Sequence, residues 1–118
     1  MLLQLRLIAL QLCAAFAAGA AISTAGALWA ATSQEYLVSQ AGRKFNPNDL
    51  IINRAETIQI INDDADLLHH IYIESQQMNF DSGDQKPGSR TAITFPTAGD
   101  FTVLCAIHPK MKLVVHVR

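Results

Sequence analysis

The sequence predicts an all-β domain, a Greek-key β-sandwich, behind an N-terminal hydrophobic signal or anchor helix. Three observations predict it. From Glu35 onward, short alternating or continuous apolar runs recur at close intervals. Pro, Gly, Asn and Asp clusters break them. No helical period and no internal repeat runs through this part, and 118 residues, half of them apolar, leave room for one domain after the leader.

The leader comes first. Between Met1 and Ala31 the one charged residue is Arg6, and Leu7 onward is almost wholly Leu, Ile, Ala, Gly and small polar residues. With the Ala25-Gly26-Ala27 triplet, this fits a signal peptide over residues 1–31, cleaved between Ala27 and Ala31. The run is also about 20 residues long, enough for an uncleaved anchor. Either reading makes residues 32–118 an exported, periplasmic domain, tethered to the membrane only if the leader stays. Cys13 follows Leu12, a poor lipidation context.

Strands are then expected in order. Glu35–Gln40 carries Tyr36 and Val38 on one face, and Leu50–Asn53 follows the turn at Asn46-Pro47-Asn48. Thr57–Asn62 alternates around Ile58 and Ile60, with Ile61 also apolar, as in a strand covered on both faces. Ile71-Tyr72-Ile73 begins directly after His69-His70, which places both histidines at a strand mouth. Phe80–Gly83 and Lys86-Pro87-Gly88 read as turns before Thr91–Phe95. Phe101, Val103 and Cys105 then share one face, so a period of two aims the Cys105 sulfur inward. Leu113–Val117 closes the set, for seven or eight strands in two packed sheets.

Charge excludes one class of partner. Nine Lys or Arg against ten Asp or Glu give a formal charge of −1, without the basic footprint of a nucleic-acid binder. Asp63, Asp64 and Asp66 read as a solvated turn, with Lys110 and Lys112 as the opposite charge elsewhere.

Chemistry concentrates in Cys105-Ala106-Ile107-His108-Pro109-Lys110-Met111, a thiol, an imidazole and a thioether within seven residues between two strands. With the leader gone, Cys105 is an unpaired thiol in a compartment that oxidises paired ones. Soft sulfur ligands select copper, and one Cys with two His and a weak axial Met is a blue-copper set. His69 or His70 supplies the second imidazole; neighbours on a strand diverge, so one of them binds. Haem attachment would need Cys-x-x-Cys-His, zinc gains little from a Met, and nothing marks a cleft for a cysteine nucleophile. Cys105 as a merely buried thiol, or Met111 as packing, is the blander alternative.

From Tyr36 to Val117 these residues resemble the cupredoxin family. Cys105, His108 and Met111 stand at the Cys-x-x-His-x-x-Met spacing similar to amicyanin's short ligand loop. Gly99–Cys105, Phe45, Pro47, Asn62, Phe80–Gly83, Gly88 and Phe95 match the wider pattern, closest to plastocyanin-like proteins of the methylamine-utilisation type. The resemblance implies one copper ion held by His69, Cys105, His108 and Met111, and a small monomeric electron shuttle rather than an enzyme. It further implies a redox partner protein docking over an apolar patch that takes in Pro109, Leu67 and Leu68. His70 becomes a neighbour of the ligands, and a copper carrier using the same ligands is the alternative function. Two departures stand out: His70 where Asn is frequent, and Ala106 where Ser or Thr is frequent. Their loss predicts a softer link between the two ligand loops.

Overall fold

A computed structural model of the chain describes residues 26–27 and 34–118. But for Gly26 and Ala27, the expected leader and its cleavage window lie outside the described residues. Nine strands form two mixed sheets, with no helix among the described residues: β1 Tyr36–Ala41, β2 Lys44–Asn46, β3 Asp49–Ile52, β4 Thr57–Asn62, β5 Ile71–Glu74, β6 Asn79–Asp81, β7 Arg90–Thr94, β8 Gly99–Cys105 and β9 Lys112–Val117. One sheet runs β2-β1-β4-β7 and the other β3-β9-β8-β5-β6. The seven expected strands are present. Two more, β2 and β6, are three-residue pieces added at sheet edges, too short to show a period of their own.

Alternation decides which side chains meet between the sheets. Val38, Ile58, Ile60 and Ile93 point inward from one sheet; Ile52, Ile71, Ile73, Phe101, Val103, Leu113, Val115 and Val117 point inward from the other. Each such side chain contributes roughly 1.5–3 kcal/mol by leaving water. Phe95 and Phe101 meet across the core with ring centroids 5.6 Å apart. Met78 is half-buried and packs on this core with Phe80.

The register also defines two poles. Cys105 pairs with Ile71, Leu104 with Lys112 and Gln40 with Asn62 at one pole. Gly99 pairs with Val117 and Tyr36 with Ile58 at the other. The histidine and cysteine motifs all fall at the first pole.

Candidate metal centre

Cys105 is the last residue of β8, and its strand partner on β5 fixes its backbone. His69 lies just before β5, where its N–H and C=O pair with the C=O and N–H of Gln85 at 3.1 and 2.7 Å. His108 comes from the loop after β8, closed by the Met111 N–H donating to the His108 carbonyl at 2.9 Å. Two segments distant in sequence, the residue before β5 and the end of β8 with its following loop, thus bring three side chains to one point.

At that point Cys105 Sγ stands 3.8 Å from His69 Nδ1 and 3.7 Å from His108 Nδ1, and the two Nδ1 atoms are 3.2 Å apart. All three atoms lie within 4.8 Å of one another. Nitrogen and sulfur donors at about 2.0–2.3 Å from one ion stand roughly 3.2–3.8 Å apart for bond angles from near-tetrahedral to trigonal, so the spacing fits a single ion. His69 and Cys105 are buried, His108 is half-exposed, and Met111 is buried in the same core. A thiol, two imidazoles and a thioether form a soft donor set, which favours copper over harder ions.

The imidazoles are prepared for that role. His69 Nε2 donates to Asp64 Oδ2 at 2.7 Å, which leaves the Nδ1 lone pair facing the sulfur. Burial pushes the Asp64 carboxyl up. The Gly42 N–H, the His69 hydrogen bond and the nearby imidazoles outweigh it and hold the group below the ordinary aspartate range. Burial, His69 and Arg43 together hold His108 below the ordinary imidazole range, against the pull of Asp64. The neutral ring keeps the lone pair that a metal needs.

Asp64 therefore differs from its neighbours in the acidic turn. Asp63 bonds Ser39 at the surface, whereas the Asp64 side chain is 12 % exposed and turned toward His69. A carboxylate five residues before a ligand-type histidine was the available signal; the hairpin N–H at Gly42 that holds it was not legible.

A buried amide network supports the His69 side of the group. Asn62 Nδ2 donates to the Leu67 carbonyl at 2.8 Å and the Gln85 carbonyl at 2.9 Å, and its Oδ1 accepts from the Asp64 N–H at 3.0 Å. Gln85 accepts from Gln40 Nε2 at 3.0 Å and donates to Thr91 at 2.7 Å. Gln40, Asn62, His69 and Gln85 are all buried.

The other expected residues are placed as follows. His70 faces outward, with Nε2 2.6 Å from Asp81 and Nδ1 3.4 Å from Asp84. Its carbonyl accepts the Ala106 N–H at 2.8 Å, so the two ligand loops are joined through backbone where a side-chain bridge was expected to be lost. Pro109 shares a shallow recess with His108 and Ile107; half-buried Leu67 and exposed Leu68 do not line it.

No protein-family model and no curated protein sequence matches the chain. Solved structures do. A copper-containing nitrite reductase from Thermus scotoductus SA-01 superposes with a TM-score of 0.65 at 28% identity, over 72% of this chain and 22% of that one. The chain thus spans about a fifth of that reductase's length. Amicyanin in a reduced Cu(I) form at pH 4, bearing a proline-to-glycine substitution, superposes with a TM-score of 0.66 at 22% identity, over 71% of this chain and 82% of that one. An oxidised amicyanin with another such substitution gives 0.66 at 20% identity, over 75% and 86%. The two mixed sheets are those of the cupredoxin β-sandwich, and the chain carries that fold with a His-Cys-His group beside Met111 at one pole.

Proposed function

We propose that the protein is a one-electron carrier in which His69, Cys105 and His108 would hold a single copper ion, with Met111 as a further, weaker ligand. The convergence of Sγ and two Nδ1 atoms within 4.8 Å, on a fold similar to amicyanin, carries this reading. Copper, when bound, supplies the Cu(II)/Cu(I) couple.

The chain's own residues do the rest. Cys105 sits on a paired strand end, and His69 is held through its backbone by Gln85 and through its ring by Asp64. Ligands fixed in this way change little between oxidation states. Buried Met111 and the core behind it exclude water from one side, while half-exposed His108 offers the edge toward a partner. A redox protein docks there transiently, as weak electron-transfer encounters do. The leader over residues 1–31 exports the domain to the periplasm, where residues 32–118 act without bond-making catalysis.

The test is to add Cu(II) to the purified protein and record visible absorption and electron paramagnetic resonance. A strong thiolate-to-copper band is expected, absent in Cys105→Ala. Copper bound equally well without that thiol would overturn the assignment. Loss of the ion to an acceptor at each redox cycle would favour a copper carrier instead.

A further inference from the structure

The hairpin from β1 to β2 brings cations to the rim of the metal-ligating group. Gly42 and Arg43 are its central residues, both at a φ of 59°, and Ala41 pairs with Lys44 across it. A two-residue hairpin loop with both φ positive matches the twist of the strands it joins. Glycine adopts that backbone freely; an arginine there is strained, yet position 43 carries one.

Arg43 and Lys44 line one shallow recess with Ile107, His108, Pro109 and Lys110. Ile107 is 44% exposed, an aliphatic side chain beside the ring of a half-exposed histidine. No carboxylate lines the recess. Among the described residues, Arg43, Lys44 and Lys110 form no ion pair, whereas Arg90 and Arg118 do. The nearby Asp64 is turned inward to Gly42 and His69.

The local sign opposes that of the domain. Arg6 is the one charged residue before Glu35, so from there on eight Lys or Arg face ten Asp or Glu, a formal charge of −2. Three of those eight cations ring one recess. An apolar centre with a rim of one charge sign is the anatomy of a steered encounter surface.

We propose that this recess docks a partner protein whose contact face is apolar at its centre and rimmed by Asp and Glu. Arg43, Lys44 and Lys110 steer that face in, and Ile107 and Pro109 seat it against His108. The assignment rests on the electron-carrier reading for its purpose but not for its geometry, and its test separates the two.

The probe is hexacyanocobaltate(III), a redox-inert trianion, titrated into the metal-free full-length protein in non-ionic detergent and followed by amide NMR. Shifts are expected at residues 43, 44, 107 and 110, with affinity falling about fivefold or more between 20 and 200 mM NaCl. Lys110→Glu and Lys44→Glu should each weaken binding about threefold to tenfold. Arg43→Gly should weaken it about threefold while leaving the melting midpoint unchanged or raised, because glycine suits that φ. Shifts spread evenly over every lysine, or indifferent to these substitutions, would overturn the proposal.

A second arm uses the copper-loaded protein and hexacyanoferrate(II), which gives up one electron to become hexacyanoferrate(III). The rate should fall with added salt, whereas the full chain's formal charge of −1, brought near zero by Cu(II) on the Cys105 thiolate, would by itself leave it almost flat. A rate that stays flat or rises would sink the docking surface and leave the electron carrier standing. Failure to form the copper band would sink the carrier, while the anion map on the metal-free protein would still decide the surface. Binding to phosphatidylglycerol vesicles that the same three substitutions abolish would reassign the face to lipid.

Discussion

Replacing Asn62 with Ala is expected to loosen the whole His69 side of the metal pole. Its amide makes three hydrogen bonds of 2.8–3.0 Å, to Leu67, Gln85 and Asp64, and the residue is fully buried. A hydrogen bond contributes about 1 kcal/mol net, and more when a buried partner is left unsatisfied. The three partners differ in this respect. The Gln85 carbonyl keeps the His69 N–H at 3.1 Å, and Leu67 and Asp64 are half-buried, so water can reach them. The loss should therefore be about 3 kcal/mol. For a domain of this size that lowers the melting midpoint by about 15 °C. Urea unfolding of the metal-free protein at pH 7 measures it, with Ile51→Ala, at a side chain 68% exposed, as a control expected to move little. A loss below about 1 kcal/mol would show that the loop from Asn62 to His69 is held by something other than this amide.

Three further outcomes follow from the same structure. Asp64→Asn should lower the affinity of the centre for a probe metal such as Co(II) about 10–100-fold, read by competition titration. In the metal-free protein, 15N shifts should show His69 losing its single Nε2–H tautomer. Met111→Leu should keep metal binding and shift the reduction potential, because a thioether is a weak ligand; loss of the metal would refute Met111 as a weak ligand, and an unchanged potential would leave it as packing alone. The third outcome concerns pH. Hydrogen bonds to Asp100 and Asp49 raise His116 above its ordinary value of 6.5. Its stabilising contribution is present in full below the unfolded-state value and is lost as pH rises through the higher folded value. Wild type should thus exceed His116→Gln in urea midpoint at pH 5.5, with the gap closing above neutrality; a gap that widened with pH would refute this sign.

The inward face of each long strand was legible because alternation is a local property. Phe101, Val103 and Cys105 are buried as their phase requires, and His116 faces away from Leu113, Val115 and Val117. Lys44-Phe45-Asn46 offers one buried residue in three, too little for any period to show. Nor could Gln40 and Gln85 be read as buried: Gln40 Nε2 donates to Gln85 Oε1 across 45 residues of sequence, and Gln85 Nε2 donates to Thr91, pairings that no local pattern announces. The ligand types and the spacing of Cys105, His108 and Met111 stood in the sequence. What it could not show was that a hairpin more than sixty residues upstream sets Arg43 and Lys44 beside His108, since that juxtaposition comes from one sheet packing on the other and leaves no mark in local composition.

The pairing of Gly99 with Val117 and of Tyr36 with Ile58 carries a practical corollary. Both Arg118 and the start of β1 emerge at the pole away from Cys105, and the Arg54 N–H donates to the Arg118 carbonyl there at 3.0 Å. A linker fused after Arg118 for coupling to an electrode or a sensor chip would present the His108 face to solution. Immobilisation through surface lysines, three of which sit at residues 44, 110 and 112 near the opposite end, would instead cover it.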